Sequence, residues 1–420
     1  MYKNNKIFRT VAASGFGTLF EWYDFLIYAV ATSLVFNKLF FPTVDPSVGI
    51  LLSMLTFGVG YVARPLGGIL FGHFGDRVGR KSILMTTMVL MGVSTFAIGL
   101  LPTYSSIGIW APISLVILRI MQGLSFGGEW AGASVLILEH SPKKYRGFFS
   151  SFVQIGYPLG FLLASGVFLL VTKLSGDQFL EWAWRIPFLL SLVLVFIGVL
   201  IRSKIQESPV FEELQKKKKI SKFPLLSIFK KEKKPLFLGV GIKISEIAWA
   251  YLPAVFFPLW AVNNLGVARA DVMYYVFIAM FVSLFAMPLT AYIGDVVGRR
   301  KVFIVVSTAM ALLSWPIWHA LQTDYFYMGL LPALVGGSMM LSLLSAVLPE
   351  MFSAGTRYTG ASMTNQVGAA IGGGVVPTVA SYLLLNNGTL GTVGLMMLLL
   401  SIITVVCVIY NKETNKKSLI

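Results

Sequence analysis

The residues of this chain that can do chemistry are charged side chains set deep in apolar stretches. Glu21 and Asp24 share one face of a predicted helix, being i and i+3. Arg64 and Arg119 stand well inside two further apolar runs, and Glu129 follows Arg119 in the same run. Lys243 and Glu246 form a second i, i+3 pair in a later run. In a membrane helix each such charge costs about 2.5–3.5 kcal/mol at the helix centre, so these groups must face one another or a water-filled cavity. A set holding both signs lets charges pair in an empty cavity and exchange partners with a charged ligand. That is the chemistry of ligand binding and proton carriage.

Asp24 is the first candidate to carry a proton, because a movable arginine neighbour would switch it between charged and neutral forms. Glu21 is the second, and the alternative for either is a permanent ion pair with Arg64 or Arg119. Glu129 follows Gly127 and Gly128, where close helix packing is an equal account. Arg119 is the first candidate to hold a ligand carboxylate and Arg64 the second; both could instead neutralise Asp24 and Glu129. Lys243 and Glu246 would complete the site from the later half of the chain or form a structural pair. Tyr23, Tyr28, Trp249, Tyr251, Gln154 and Gln366 are candidate cavity liners.

Other chemistries are excluded. No nucleophile–base constellation stands out, so an enzyme is not expected. Cys407 is the single cysteine, which rules out a disulfide framework or a cysteine metal site. His73, His140 and His319 are not spaced for joint ligation and lie near the ends of apolar runs. No metal or other cofactor is implied. No Gly-x4-Gly-Lys-Ser/Thr loop follows a strand, so an ion gradient rather than ATP is the expected energy source.

The elements that must position these charges are long helices. Of 420 residues 56% are hydrophobic and 12% charged, with a mean hydropathy of +0.78; a soluble domain is roughly a quarter charged. Apolar runs long enough to span a bilayer fall near 11–36, 48–72, 82–101, 107–138, 147–172 and 184–202, then 237–262, 272–293, 302–320, 326–348, 360–385 and 390–410. The expected fold is an all-α membrane protein with twelve transmembrane helices in two six-helix bundles. Residues 1–202 form the first bundle, 203–236 a basic linker and 237–420 the second. The net charge of +16 is concentrated in the tails, the linker and alternate connections, which argues for topology rather than nucleic-acid binding. This positive-inside pattern places both termini in the cytoplasm, in a multi-pass protein of the cell membrane, with a monomer as the expected unit.

The two bundles repeat each other. Gly75-Asp76-Arg77-Val78-Gly79-Arg80-Lys81 returns as Gly294-Asp295-Val296-Val297-Gly298-Arg299-Arg300. Glu139 and Arg146 have the spacing of Glu350 and Arg357, and Gln154, Gly156 and Gly160 match Gln366, Gly368 and Gly372. Same-direction repeats imply halves related by an axis along the membrane normal, with a central site between them.

These residues resemble the major facilitator superfamily, and within it the metabolite:proton symporter branch of shikimate, alpha-ketoglutarate, citrate and proline/betaine carriers. The resemblance rests on Glu21-Trp22-Tyr23-Asp24-Phe25, Arg64-Pro65-Leu66-Gly67-Gly68, the loop at 72–81, Arg119-Ile120-Met121-Gln122-Gly123, Gly127-Gly128-Glu129-Trp130, Trp184-Arg185-Ile186-Pro187-Phe188, Glu207-Ser208-Pro209 and Arg357-Tyr358-Thr359-Gly360. The first half is most similar to shikimate-type carriers, which have a basic residue before a carboxylate where this chain has Lys243-Ile244-Ser245-Glu246; lysine stands in place of the expected arginine. The resemblance implies the major facilitator fold and a cytoplasmic gate of Asp76, Arg77, Arg80, Asp295 and Arg299. It also implies import of a small carboxylate-bearing metabolite (an organic acid such as shikimate or a dicarboxylate, or proline/betaine) with protons, by alternating access. A proton-driven exporter of amphipathic compounds, suggested by Gly156-Tyr157-Pro158-Leu159-Gly160, and a non-transporting sensor of the same fold are the alternatives.

Overall fold

A computed structural model describes residues 2–43, 46–385, 389–415 and 418–419. Among them stand twelve long helices: α1 (Tyr2–Ala31), α2 (Pro46–Val78), α3 (Arg80–Leu100), α4 (Trp110–His140), α5 (Arg146–Ser175), α6 (Ile186–Ser203), α7 (Lys233–Tyr251), α8 (Arg269–Val297), α9 (Arg299–Ala320), α10 (Tyr327–Met351), α11 (Arg357–Ala370) and α12 (Leu390–Tyr410). Three of them continue through a π-helical turn, α1 at Thr32–Phe36, α7 at Leu252–Phe256 and α11 at Ile371–Val375. Eleven helices are long and apolar enough to cross a membrane. The twelfth, α1, carries Glu21 and Asp24, which lower its mean hydropathy.

The repeated motif reads in sequence as a connecting loop, and here the structure differs. Gly72 to Val78 are the last turns of α2, and only Gly79 lies outside a helix before α3 begins. Gly79 has φ +126° and its counterpart Gly298 φ +120°, a region costly for any other residue. Each break is capped in trans. Glu207, just past α6, accepts from the Arg80 and Lys81 amides (3.0 and 3.1 Å), and Glu413, just past α12, accepts from the Arg300 amide at 3.1 Å. The carboxylates supply acceptors to exposed helix N-termini, where negative charge is favoured.

Helices pack mainly within 1–6 and 7–12, and the two sets meet along α2–α11 and α5–α8. Within the first set, glycines bring α2 and α4 to backbone contact: a side chain on Gly67 would overlap Leu124, and one on Gly127 would overlap Arg64 and Gly68. The segment between the sets holds two short helices, Pro209–Lys216 and Pro224–Lys231. It is more than a solvated tether, since Val210 and Leu214 are buried against Leu138 and Ala346, and the buried Phe211 ring lies 4.8 Å from the Arg80 guanidinium.

Candidate functional site

Between the two helix sets lies a cavity of about 30 Å³, lined by Trp22 of α1, Arg64 of α2, Phe126 and Trp130 of α4, Gln154 and Tyr157 of α5, Lys243, Glu246 and Tyr251 of α7, and Asn365 and Gln366 of α11. That volume has room for about two water molecules, whereas small-molecule sites run to about 300 Å³ or more. The structure is thus a closed state.

Arg64 is buried, and its guanidinium sits over the rings of Phe25, Tyr61 and Phe126 at 4.0, 4.0 and 3.7 Å. Its Nε and Nη2 have no hydrogen-bond partner, and among the described residues no carboxylate lies within ion-pair distance. Across the cavity Lys243 and Glu246 form a buried ion pair, which leaves Oε1 of Glu246 without a partner. Gln154 accepts from the Trp130 indole at 3.1 Å and Gln366 donates to the Gly127 carbonyl at 3.1 Å. Gln154 Nε2, Gln366 Oε1 and Asn365 Oδ1 remain unpartnered on the wall. Among the described residues the wall therefore presents one cation with no carboxylate at ion-pair distance, one neutral ion pair, several open amide and carboxylate positions, and aromatic faces.

Glu21 and Asp24 do not line this cavity. They point to the other side of α1, into a smaller cavity of about 10 Å³ within the first set, together with Gly17, Thr87, Ser125 and Glu129. Asp24 accepts from the Ser191 hydroxyl of α6, and no lysine or arginine among the described residues lies within ion-pair distance of it. Glu129 is paired with Arg202 and accepts from Thr87 at 2.6 Å. Arg202 also donates to the Leu84 carbonyl at 2.8 Å, in space that exists because residue 17 is glycine. Oε1 of Glu21 has no partner.

Arg119, the first sequence candidate for the ligand carboxylate, is fully buried and does not reach the central cavity. It packs over Phe25, Tyr28 and Phe57 and donates to Gln122 at 3.0 Å; Gln122 in turn donates to Thr95 at 2.7 Å. Phe25 touches both guanidiniums, being 4.0 Å from Arg64 and 4.1 Å from Arg119. Of the candidate liners, Tyr251, Gln154 and Gln366 face the central cavity. Tyr23 instead donates to the Pro187 carbonyl, Tyr28 to Thr56 and Trp249 to Ser401.

At the end of the helices that bears the basic connections, two matching clusters bind the helix sets together. Asp76 accepts from the amides of Tyr358 and Thr359 and from the Thr359 hydroxyl (3.2, 2.9 and 2.8 Å) at the N-terminus of α11. Arg80 lies 3.4 Å from Asp76 and 3.4 Å from Glu139, and Glu139 is paired with Arg357. Asp295 accepts from the amides of Gly147 and Phe148 (3.0 and 2.8 Å) at the N-terminus of α5. Arg299 pairs with Asp295 at 2.7 Å and with Glu350, which Arg146 approaches to 3.8 Å. Arg77 is apart from this; it is exposed, 3.5 Å from His73.

Comparison with known proteins places this architecture. The sugar (and other) transporter family matches residues 9–222 and the major facilitator superfamily residues 238–419. An inner membrane metabolite transport protein of Escherichia coli, YhjE, is 38% identical over 98% of this chain and 95% of its own. The chain belongs to the major facilitator superfamily. The shikimate transporter of Escherichia coli is 38% identical over 90% of this chain and 87% of its own, and the proline/betaine transporter of Salmonella typhimurium 33% over 99% and 85%. The proton:xylose symporter XylE, bound to 6-bromo-6-deoxy-D-glucose, superposes with a TM-score of 0.77 at 18% identity, covering 100% of this chain and 98% of its own. This superfamily member is a multi-pass transporter, not an enzyme.

Several residues of the site escaped sequence reasoning. Arg202 stands at a helix end beside basic connections, where its charge looks like topology. The matched spacings of Glu139/Arg146 and Glu350/Arg357 are visible in the sequence, but the crossed pairing, Glu139 with Arg357 and Glu350 with Arg146, is not. Asn365 carries no charge to mark it.

Proposed function

We propose that this transporter imports a small carboxylate-bearing metabolite together with protons, by alternating access. One observation carries the reading: Arg64 stands buried on the wall of the cavity between the halves with two guanidinium nitrogens open and, among the described residues, no carboxylate within ion-pair distance. A cation so placed is costly unless a ligand anion completes it. A carboxylate takes two parallel hydrogen bonds from a guanidinium, and the open positions of Gln154, Asn365, Gln366 and Glu246 then meet the rest of the ligand.

Asp24, screened from that cavity by α1, is the proton carrier. Arg119 supports it from behind through Gln122 and Thr95. The halves 1–202 and 237–420 rock about the linker 203–236. The basic end is cytoplasmic, with both termini, and a monomer in the lipid bilayer suffices. Asp76, Arg80, Asp295 and Arg299, with Glu139, Glu350 and Arg357, hold that side closed. An amphipathic-compound exporter is a poorer fit to a wall that carries Arg64, Lys243 and Glu246.

A thermal-shift screen of the purified protein against shikimate, dicarboxylates, citrate, proline and betaine tests the ligand class. A carboxylate that stabilises the wild type but not Arg64→Ala, and that is taken up into proteoliposomes on an inward proton gradient, is the expected result. Stabilisation only by uncharged amphipathic compounds would sink the proposal.

A further inference from the structure

The geometry points to a binding site for an anionic phospholipid in the groove between the basic end of α2 and the second linker helix, Pro224–Lys231. The lipid fastens that helix across the seam between the two helix sets.

The groove is built from apolar side chains that the packed interior leaves uncovered. Its volume is about 390 Å³, and its walls include Leu70, His73 and Phe74 of α2 and Phe223, Leu225 and Leu226 of the linker. On α2 it continues a stripe of exposed residues at a spacing of four, Val62, Leu66, Leu70, Phe74 and Val78. Such a stripe on a membrane-spanning helix marks the side that faces hydrocarbon. Phe74 stands four residues before Val78, the last of α2, so about 6 Å of helix separates the groove from the end of the span. The groove thus opens sideways at the level where acyl chains meet headgroups.

The linker helix has the make-up of an element lying in that layer. Pro224 and Ile228, one turn apart, are buried against the protein. Leu226, Phe229 and Lys230 share one face at i, i+3 and i+4, and all three are exposed, as are Lys222 and Phe223 at the start of the helix. An outward face that mixes large apolar residues with lysine suits a membrane surface, where the apolar groups enter the acyl boundary and the lysines extend to phosphate. On the other wall α2 supplies Arg77, exposed, one turn beyond His73. Among the described residues no carboxylate lies within ion-pair distance of Lys222, Lys230 or Arg77. A lipid satisfies both features, with an acyl chain for the apolar walls and an anionic headgroup for the cations. A soluble anion would leave the walls uncovered, and a second copy of this chain would bring its own lysines.

Occupancy matters because of what the helix touches. It packs against α2 of the first set and against α7 and α11 of the second. Glu232, directly after it, accepts from the Ser353 amide at 2.9 Å and from the Thr356 hydroxyl, at the turn that leads into α11. Asp76 crosses the same α2–α11 seam. A lipid held by α2 and the linker together favours the state in which the basic end is shut, and by linkage that state holds the lipid more tightly. The effect on opening rests on the proposed alternating access; the binding does not.

Native mass spectrometry of the purified full chain, given equal amounts of phosphatidylglycerol and phosphatidylcholine with the same acyl chains, reads the binding. The wild type is expected to retain phosphatidylglycerol about tenfold over phosphatidylcholine. Lys222→Gln with Lys230→Gln is expected to retain the two alike, two lysines at about 1 kcal/mol each being enough for that factor. Equal retention by the wild type overturns the site, as does an unchanged preference in the double variant. An equal loss in Lys143→Gln with Lys144→Gln, exposed lysines of another connection, overturns it too, and so does retention of free glycerol phosphate as firm as that of the lipid.

Bilayer nanodiscs read the consequence. Replacing phosphatidylcholine with phosphatidylglycerol should lower labelling of introduced cysteines that face the central cavity, from the side of the basic end, severalfold in the wild type and not in Lys222→Gln with Lys230→Gln. Unchanged labelling in a wild type that retains the lipid overturns the effect on opening. Neither arm uses a substrate or a proton gradient, so failure here is distinct from failure of the proposed import.

Discussion

At the scale of single residues, buried charge is what made the site visible. Asp24, Glu21, Arg64, Arg119, Glu129, Lys243 and Glu246 stand out in sequence because each breaks an apolar run at a cost of kilocalories. Sequence could not sort them into compartments. That depends on helix rotation: Glu21 and Asp24 turn into one cavity while Trp22, between them in the chain, turns into another. The sorting changes the expected effects of substitution. Arg64→Ala should raise the dissociation constant of a carboxylate ligand by about ten- to a hundredfold, the worth of a charged hydrogen bond at about 1.5–3 kcal/mol, as read by isothermal titration. Arg119→Ala should lose uptake but keep ligand affinity within severalfold, because Arg119 does not reach the cavity; a loss of affinity equal to that of Arg64→Ala would return it to the substrate site. Asp24→Asn should abolish uphill uptake and retain counterflow exchange. Full proton-driven accumulation by that variant would remove Asp24 from coupling.

At the scale of elements, the chain uses one device twice: an aspartate at the end of a long helix reaches across to the N-terminus of a helix in the other half. Asp76 bonds α11 and Asp295 bonds α5, each accepting from backbone amides that no helical carbonyl can satisfy. The repeat and its glycines were legible because Gly79 and Gly298 need positive φ. The partners were not, since they lie in other helices of the opposite half. Breaking either buried cluster should weaken closure at the basic end by about 3–5 kcal/mol. Asp76→Ala is therefore expected to raise cysteine labelling of positions facing the central cavity from the side of the basic end. Equal labelling of wild type and variant would show that the cluster does not hold the closed state. Gly17→Val acts on a different element. Its side chain would displace the Arg202 guanidinium, strand Glu129, and lower the melting temperature far more than Gly58→Val, which meets open space.

At the scale of the whole molecule, the helix count followed from hydropathy and charge distribution, and the twofold plan from the repeated motifs as well. The closed state did not, because the same helices serve every state of a carrier and sequence does not rank them. The proton count also belongs to this scale. A monoanion entering with one proton moves no net charge, whereas each further proton lets 100 mV of membrane potential add about 2.3 kcal/mol to its accumulation. Uptake of a monoanion at constant pH should accordingly rise with an interior-negative potassium diffusion potential only for protons beyond the first. Indifference to voltage would point to a single proton per anion.

The barriers on the two sides of the central cavity are built differently. Toward the basic end stand two ion clusters and the linker helices. Toward the other end, Tyr251 meets Tyr61 edge to face at 5.4 Å, and Phe161 meets Phe277 at 5.7 Å. Rings in edge contact part far more readily than buried ion clusters. This has a pharmacological consequence. On the proposed site, a carboxylate carrying a flat aromatic substituent is expected to seat its acid group on Arg64 and wedge its ring between Tyr61 and Tyr251, jamming the carrier open at the end away from the basic clusters. Inhibition by such compounds should be one-sided, strong from the medium and weak when the same compound is trapped within the vesicle.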